Sequence, residues 1–443
     1  MINFFLKTYG CQANEADSAA ISTYLTGLNC KEVFTEKEAD LIIVNTCAIR
    51  EKAEEKFFSY LGLLNKKFKA KKPYLKTIII GCIATYKKNE IYKRFDNVNF
   101  VLGAKEDLNN LKAVLSDFIV ELESIKKIYN LGNNRSNVGL LNLGGFKTVP
   151  NELKKSLINI MTGCNNYCSY CIVPFTKGRE KSFSASLILK KIEEDIKAGA
   201  KEVTLLGQNV NSYRDPESGI GFAELLKKVA QIKGEFWVRF LSPHPKDMTK
   251  DVLFVMAKYP DKLCAYVHHP LQSGSNKILQ AMNRTYKVEK FLEQINWMKT
   301  ILPEITISTD VIVAFPGETK QDFEETMNVI KAVKFDVIFP FIYSARKYTK
   351  ALSFKNDCLK DEKIRRINEL IDKQHEISFE NNSLRIGRIL RVLVEKRMAS
   401  GRLLARTQGN IRVFFDGDDS LIGSFVFVKI EKAGRSDLIG VLA

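Results

Sequence analysis

The sequence predicts a multidomain α/β protein with three folded parts: an N-terminal Rossmann-like domain built on a parallel sheet, a central partial (β/α)6 barrel of the TIM type, and a small, OB-like C-terminal β-barrel. Three observations predict this class. Short apolar strands alternate with amphipathic helices over the first 118 residues, six larger β/α units follow from about residue 153, and the C-terminal part contains strand patterns only. The expected domains are 1–120, a linker at 121–149, 150–382 and 383–443.

The N-terminal domain contains four apolar segments that are typical of buried parallel strands. They lie at 3–10, 41–46, 76–81 and 97–103. Helical patterns are expected near 15–28, 49–68, 85–95 and 105–120. Because right-handed crossovers join parallel strands, the carboxyl ends of these strands should meet at one edge of the sheet. The Gly/Asn-rich stretch at 131–145 then ends all periodicity, which indicates a linker.

The central part repeats the alternation on a larger scale. Strands are expected at 156–162, 202–207, 236–241, 264–269, 305–315 and 335–342, with helices between them. Six units are two short of a complete eight-stranded barrel, so an open barrel is predicted. Its chemistry should lie at the carboxyl ends of the strands.

The C-terminal part begins after a helical pattern near 361–380. Five short strands are expected at 387–395, 401–407, 411–415, 424–431 and 437–442. This density of short strands is typical of a small closed barrel, and basic barrels of this kind often bind nucleic acid.

The charge balance points to a polyanionic partner. Lys and Arg number 68 against 51 Asp and Glu, a net charge of +17. RNA or DNA is favoured over a membrane surface, and solubility alone is the alternative explanation. No apolar run approaches the roughly 18 residues of a membrane span, and the start lacks a secretory leader pattern, so a cytoplasmic protein without a membrane partner is expected.

Three cysteines crowd one loop after the first barrel strand. Cys164, Cys168 and Cys171 form a C-x3-C-x2-C run, with no fourth Cys or His nearby in the sequence. Three thiolates suit three corners of a [4Fe–4S] cube and leave one iron open to an outside ligand. The alternative is a zinc site that a distant residue completes.

Three further cysteines each follow a predicted N-terminal strand. Cys11, Cys47 and Cys82 lie 36 and 35 residues apart, about one β/α unit each. Their strand ends share one sheet edge, so the thiols could converge as a second cluster site. The alternative is three separate small core residues. The remaining cysteines have no such setting and are expected to be ordinary thiols: Cys30, Cys264 and Cys358.

Several of these segments resemble a known family. TGCNNYCSYCIVPFTKGRE (162–180) is similar to the signature of the methylthiotransferases among radical S-adenosylmethionine (SAM) enzymes. Other stretches resemble further motifs of that family: KTYGCQAN (7–14), NTCAIREKAEEK (45–56), GCIA (81–84), LLGQNVNSY (205–213), HPLQSGS (269–275) and STDVIVAFPGET (308–319). The C-terminal barrel looks like a TRAM domain, an RNA-binding module. NTCAIRE is most similar to the branch that acts on N6-isopentenyladenosine in tRNA.

The resemblance implies two [4Fe–4S] clusters and SAM as cofactors. Cys164, Cys168 and Cys171 would hold the cluster that chelates SAM. The resulting 5′-deoxyadenosyl radical would remove hydrogen from C2 of the isopentenyladenosine beside the anticodon. The auxiliary cluster, on the three N-terminal cysteines, would deliver sulfur. Because C2–H is not acidic, no catalytic His or Glu is expected. The implied partners are the tRNA anticodon loop, a low-potential electron donor and a sulfur or cluster-assembly donor, and a monomer is compatible with them.

Two further sets of residues are candidates for binding. Gln208 and Asn209 follow the second barrel strand and could contact SAM, although turn formation explains them equally well. Five arginines of the small barrel are candidates for phosphate contacts: Arg388, Arg391, Arg402, Arg406 and Arg412.

Two alternatives to this function stay open, and one stretch departs from the family. The same chemistry could act on threonylcarbamoyladenosine in tRNA or on a ribosomal protein, or the chain could be a non-catalytic Fe–S or zinc protein that binds RNA. The loop YSARKYTKA (343–351) lacks the prolines that the family often carries there, so its substrate contacts cannot be inferred.

Overall fold

The computed structural model describes residues 1–48, 51–68, 74–105, 108–128 and 153–443. These residues divide into two units. The first unit contains the described residues of three ranges: Met1–Lys147, Leu157–Asn165 and Ile172–Glu180. The second unit contains the described residues of the other three ranges: Thr148–Ser156, Asn166–Cys171 and Lys181–Ala443. The grouping differs from the expected boundary near residue 150 because Ile172 packs into the hydrophobic core of the N-terminal sheet.

The N-terminal unit contains the predicted parallel sheet, with strand order β2-β1-β3-β4-β5. Its strands are β1 (Asn3–Tyr9), β2 (Lys31–Glu32), β3 (Leu41–Thr46), β4 (Lys76–Gly81) and β5 (Phe100–Gly103). Its helices are α1 (Gln12–Gly27), α2 (Glu51–Phe68), α3 (Cys82–Arg94) and α4 (Leu108–Ile128). Helix α4 continues beyond residue 120, where the first domain was expected to end, and the rest of the expected linker up to residue 149 lies outside the described residues.

Alternation of side chains explains why the sheet is buried on both faces. Leu41 and Ile43 belong to the core on one face, whereas Ile42 and Val44 belong to the core on the other. A strand without a polar face must be covered on both sides, which is the usual arrangement of parallel sheets with helices on each face.

The six predicted strands of the central part form an open barrel. They build two parallel three-stranded sheets, β10-β9-β6 and β11-β12-β13, and a parallel bridge between Val238 and Leu263 lies where the two sheets adjoin. The strands of this part are β6 (Lys155–Asn159), β7 (Met161–Thr162), β8 (Lys181–Ser182), β9 (Glu202–Leu206), β10 (Trp237–Phe240), β11 (Tyr266–His268), β12 (Thr306–Val313) and β13 (Val337–Ile342). The helices are α5 (Val173–Lys177), α6 (Ala185–Lys197), α7 (Phe222–Gln231), α8 (Lys250–Lys258), α9 (Asn276–Ala281), α10 (Val288–Ile301), α11 (Lys320–Val333) and α12 (Lys360–Ser383).

The five predicted C-terminal strands close into a small barrel in the order β14-β15-β16-β18-β17. They are β14 (Ile389–Arg397), β15 (Leu403–Thr407), β16 (Arg412–Phe415), β17 (Phe425–Ala433) and β18 (Asp437–Leu442). Val392, Val413 and Val428 are fully buried in its centre. The predicted fold class is therefore confirmed. Across the described ranges of the chain, no helix combines the length and apolar character needed to cross a bilayer.

Candidate functional site

The three N-terminal cysteines lie at the carboxyl edge of the parallel sheet. Cys11 precedes α1 with an extended backbone, Cys47 directly follows β3, and Cys82 is the first residue of α3. Cys11 Sγ donates a hydrogen bond of 3.3 Å to Asn14 Oδ1, and Cys47 lies close enough to affect the pKa of Cys11. Cys82 lies close enough to Cys11 for their charges to interact. The three cysteines thus follow three neighbouring strands at one edge of the sheet.

Hydrogen bonding and nearby charge make one of these thiols acidic. The hydrogen bond from Cys47 lowers the pKa of Cys11 to about 6, with help from Asn14 and the positive charge of Lys177, against the opposing effect of burial. Burial raises the pKa of Cys82, and Lys177 opposes that rise. Thiolates, not thiols, bind iron, so the lowered pKa of Cys11 favours its role as an iron ligand.

Lys177 is a buried cation that sequence reasoning missed. Its Nζ lies 3.5 Å from Asp17 Oδ2, and its side chain is 11% exposed. Asp17 also accepts a hydrogen bond of 3.0 Å from Asn159 Nδ2, which fixes the carboxylate. Burial opposes the charge of Lys177, but the negative charges of Asp17, Cys82 and Cys11 raise its pKa, so it stays protonated.

The C-x3-C-x2-C loop begins with a buried cysteine on a tight turn. The backbone N–H of Cys164 donates to the carbonyl of Gly178 over 3.1 Å. Gly163, just before it, has φ +78°, and a Cβ there would lie 2.1 Å from the carbonyl oxygen of Arg179. Only glycine combines that backbone conformation with such a close approach. The turn therefore fixes the position of Cys164.

Cys168 lies against a buried arginine. Arg284 Nη1 is 3.5 Å from Cys168 Sγ, within the distance of a hydrogen bond to sulfur. The same guanidinium donates to the carbonyl of Pro270 over 3.0 Å and to the hydroxyl of Tyr286 over 3.1 Å. The backbone N–H of Cys171 donates to the carbonyl of Cys168 over 2.9 Å. The Arg284 guanidinium therefore lies in contact with the sulfur of Cys168. Sequence reasoning missed Arg284 as well.

Neither cysteine set is assembled around a single point. Among the described residues, no three His, Cys, Asp or Glu side chains are grouped closely enough to hold one metal ion. A [4Fe–4S] cube gives each thiolate its own iron, so thiols that serve a cube need not meet at one centre. This arrangement differs from a closed zinc site, where four ligands surround one ion.

Gln208 and Asn209, the two residues predicted to contact SAM, carry buried polar atoms without hydrogen-bond partners among the described residues. Asn209 is fully buried, and its Nδ2 donates to Asp247 Oδ2 over 2.7 Å. Asn209 Oδ1 and Gln208 Oε1 are buried and have no hydrogen-bond partner in the described chain. An orphaned buried polar atom is costly, so these amide oxygens suit a polar ligand such as SAM.

His244 adds a third unsatisfied atom near the end of β10. Its Nδ1 accepts a hydrogen bond of 3.1 Å from the backbone N–H of Lys246. Its Nε2 is buried without a partner among the described residues. Burial, together with the charges of Arg284 and Lys246, lowers the pKa of His244 to about 2. The imidazole is therefore neutral, with its proton on Nε2, and can donate to a ligand.

All five candidate arginines of the small barrel form ion pairs with carboxylates. The pairs are Arg388–Glu304 (2.8 Å), Arg391–Glu235 (2.7 Å), Arg402–Asp416 (3.6 Å), Arg406–Glu395 (2.9 Å) and Arg412–Asp437 (3.5 Å). The side chains of Arg388, Arg402 and Arg412 are nearly half exposed, and such surface pairs are weak. Arg388, Arg402 and Arg412 can therefore leave their carboxylate partners and bind phosphates at little cost in free energy.

Arg406 instead takes part in a buried charge network. It shares Glu395 with Lys155, whose Nζ is 2.6 Å from that carboxylate. Lys155 also lies 3.6 Å from the buried Glu202, which pairs with Arg239 at 2.8 Å. The network joins the small barrel to the first strands of the central barrel, which indicates a structural role for Arg406.

We expect this network to make stability depend on acid pH. Burial opposes the charge of Glu395, but Lys155 and Arg406 lower its pKa to about 2 from an ordinary value of 4.5. A lowered folded-state pKa contributes stability that is complete above the unfolded value and is lost as pH falls toward the folded value. The free energy of unfolding should therefore decrease between pH 4.5 and about 2, a change that urea titrations at constant ionic strength would measure.

The Glu395→Gln variant is the comparison for this experiment. Its unfolding midpoint should fall less steeply over the same pH interval, because glutamine does not titrate. Trp237 packs against Phe425 of the small barrel, with ring centroids 4.9 Å apart, so its fluorescence reports on this junction. Identical pH slopes in the two proteins would show that Glu395 is not responsible.

Comparison with known families agrees with this organisation. Residues 3–103 match the Uncharacterized protein family UPF0004, residues 158–330 match the Radical SAM superfamily, and residues 384–443 match the TRAM domain. Among solved structures, a radical S-adenosylmethionine methyltransferase, TsrM, from Kitasatospora setae has a TM-score of 0.52 at 11% identity, covering 91% of this chain and 80% of that one. At such low identity this likeness shows the fold alone.

Curated relatives match over nearly the whole chain. A tRNA-2-methylthio-N(6)-dimethylallyladenosine synthase of Clostridium botulinum strain Langeland is 42% identical over 445 residues, 99% of this chain and 96% of that protein. Enzymes of the same name from Endomicrobium trichonymphae and Chlorobium luteolum are 38% and 37% identical, again over 99% of this chain and covering 99% and 96% of those proteins. The chain therefore belongs to the tRNA-2-methylthio-N(6)-dimethylallyladenosine synthase family of radical SAM methylthiotransferases.

Proposed function

We propose that this protein is a radical SAM enzyme that methylthiolates C2 of N6-isopentenyladenosine beside the anticodon of tRNA. The product is 2-methylthio-N6-isopentenyladenosine. The observation that carries the proposal is the presence of two separate three-cysteine sets, each with a buried cation beside a thiol: Lys177 near Cys11, and Arg284 at Cys168. The names of the full-length relatives support the choice of tRNA as substrate.

Cys164, Cys168 and Cys171 are proposed to hold the [4Fe–4S] cluster that binds SAM. When bound, the cluster and SAM supply a 5′-deoxyadenosyl radical, which removes a hydrogen atom that no acid–base group could take from C2. The chain itself places the Arg284 guanidinium against the sulfur of Cys168 and offers the amide groups of Asn209 and its neighbour Gln208 to the cofactor.

Cys11, Cys47 and Cys82 are proposed to hold the auxiliary [4Fe–4S] cluster, from which sulfur is transferred. Their position on one sheet edge and the lowered pKa of Cys11 support this role. Lys177 contributes a positive charge there. Because the reaction consumes electrons and sulfur, a low-potential electron donor and a sulfur or cluster-assembly donor are further proposed partners, and the tRNA substrate supports a cytoplasmic location.

The TRAM barrel is proposed to contact tRNA phosphates through its exposed arginines. If about five phosphates are neutralised, the slope of log affinity against log salt should be about −3.5 to −4.5. Replacing Arg402 and Arg412 with glutamine should weaken tRNA binding and make the slope shallower by about 1.5. Filter binding at a series of salt concentrations would measure both effects.

Arg365→Gln is the matched control for these two substitutions. Arg365 is also exposed and ion-paired, but it lies on α12, outside the barrel. Its replacement should leave the slope unchanged. If the Arg402→Gln, Arg412→Gln variant keeps the wild-type slope, these two arginines do not contact phosphate.

Nucleoside analysis after a reaction in vitro tests the proposed function. Anaerobically reconstituted protein should contain about eight irons per chain, as two four-iron clusters require. With SAM, a reductant and an anticodon stem-loop carrying isopentenyladenosine, it should form 5′-deoxyadenosine and the 2-methylthio nucleoside. Zinc in place of iron, without deoxyadenosine, would instead support a non-catalytic RNA-binding protein. If the protein converts threonylcarbamoyladenosine and not isopentenyladenosine, its substrate is threonylcarbamoyladenosine.

A further inference from the structure

The last strand of the central barrel exposes an apolar face. Along β13, Val337, Phe339 and Phe341 are 39%, 45% and 42% exposed, whereas Ile338 between them is 5% exposed. Successive side chains of a strand point to opposite faces of the sheet. Helix α12 packs against β13, and helices cover the outer face of barrel strands, so we assign the buried Ile338 to that face and the other three side chains to the inner one.

Contacts with neighbouring strands show which side chains lie beside Phe339. Phe339 lies beside Asp310 of β12 in the strand register, and its ring centroid is 5.8 Å from that of His268 on β11. His268 Nε2 lies 3.2 Å from Asp310 Oδ2, and its Nδ1 lies 2.9 Å from Ser308 Oγ. The polar groups of this inner wall are therefore satisfied by one another, whereas the aromatic rings beside them remain exposed.

The small barrel contacts the central barrel through Arg239. Arg239 of β10 donates to the carbonyls of Thr407 and Gln408 in the small barrel, over 2.8 and 2.6 Å. Phe341 lies next to the final residue of β13. Phe341 is therefore near the carboxyl end of its strand, the end at which barrel enzymes carry their chemistry.

We propose that Phe339 and Phe341 form the surface that receives the N6-isopentenyl group of the substrate adenosine. This inference rests on the proposed function and names a determinant of its specificity. The isopentenyl group is a branched five-carbon chain without polar atoms, and burying it against two aromatic rings is favourable in proportion to the apolar area covered.

The same surface disfavours the alternative nucleoside. A threonylcarbamoyl group carries a carboxylate, which would lose its hydration against the two rings. Asp310, beside Phe339, would add repulsion. The surface formed by Phe339 and Phe341 is therefore complementary to a neutral, apolar N6 substituent and selects against a charged one.

Binding of three anticodon stem-loops to the reconstituted holoenzyme tests this assignment. The loops differ only at the target base, which is isopentenyladenosine, unmodified adenosine or threonylcarbamoyladenosine. The wild type should bind the first most tightly. The Phe339→Ala, Phe341→Ala variant should lose its preference for isopentenyladenosine over adenosine by about ten- to a hundredfold, while its affinity for the unmodified loop stays the same. Phe339→Leu and Phe341→Leu should keep most of the preference, because they retain apolar surface.

Phe379→Ala is the matched control, since Phe379 is an exposed phenylalanine on α12, 50% exposed. It should keep the full preference. If the alanine variant loses iron, the leucine variants and Phe339→Ser alone are compared at equal iron content, so that loss of folding is not mistaken for loss of selectivity. Retention of the wild-type preference in properly loaded variants overturns the assignment. Failure of the wild type to convert the isopentenyl loop would instead contradict the proposed function itself.

Discussion

Replacing Cys164 with alanine should abolish formation of 5′-deoxyadenosine from SAM. Three thiolates hold three irons of the proposed cluster and leave the fourth iron for SAM. Loss of one thiolate removes a corner ligand and, with it, the site at which SAM is reduced. Cys164 is buried, on a turn that requires Gly163, so its position is fixed by the backbone. Anaerobic incubation with SAM and a chemical reductant, followed by chromatography, measures the loss.

Cys358→Ala provides the control for that experiment. Cys358 lies between the last barrel strand and α12 and belongs to neither cysteine set. Its alanine variant should cleave SAM at the wild-type rate and bind the same amount of iron. Deoxyadenosine formation by Cys164→Ala at a rate close to that of Cys358→Ala would exclude Cys164 as a ligand of this cluster.

Much of the fold was predictable because its strands are apolar runs between amphipathic helices. The run at 41–46 is apolar on both faces, which predicts a buried parallel strand, and β3 occupies those residues. The two-residue strand β2 was not predicted, because Lys31 and Glu32 carry no hydrophobic pattern and pair only through their backbone with β1. The grouping of Ile172–Glu180 with the N-terminal unit depends on tertiary packing, which local periodicity does not encode.

The candidate sites were predictable to the extent that spacing alone defines them. Cys11, Cys47 and Cys82 could be grouped because each follows a strand of one sheet. The cations beside the thiols could not be predicted in this way. Arg284 lies 116 residues from Cys168 in the sequence, and only the fold brings them together. The ion pairs of the small barrel were likewise missed, because counting charges does not reveal which carboxylate lies beside Arg406.

Replacing Cys47 with alanine should stop sulfur insertion and spare SAM cleavage, at least in part. Cys47 belongs to the proposed auxiliary cluster, and its thiol forms the hydrogen bond that contributes most to the lowered pKa of Cys11. Removing it therefore removes one ligand and makes a second thiolate less available. The proposed SAM-binding cluster uses other cysteines, so its chemistry should persist. Deoxyadenosine and 2-methylthio nucleoside measured in the same reaction separate the two effects.

The interpretation of the Cys47→Ala experiment depends on the iron content of that variant. Cys47→Ala should contain about four irons per chain, half of the expected total, and still show the spectrum of a reduced four-iron cluster that responds to SAM. Cys30→Ala is the control, because Cys30 is buried in the N-terminal core beneath β1 and belongs to neither set. It should keep both activities. Equal loss of SAM cleavage and sulfur insertion in Cys47→Ala, with the other cluster intact, would contradict the division of labour, because it would mean that radical formation depends on the N-terminal thiols.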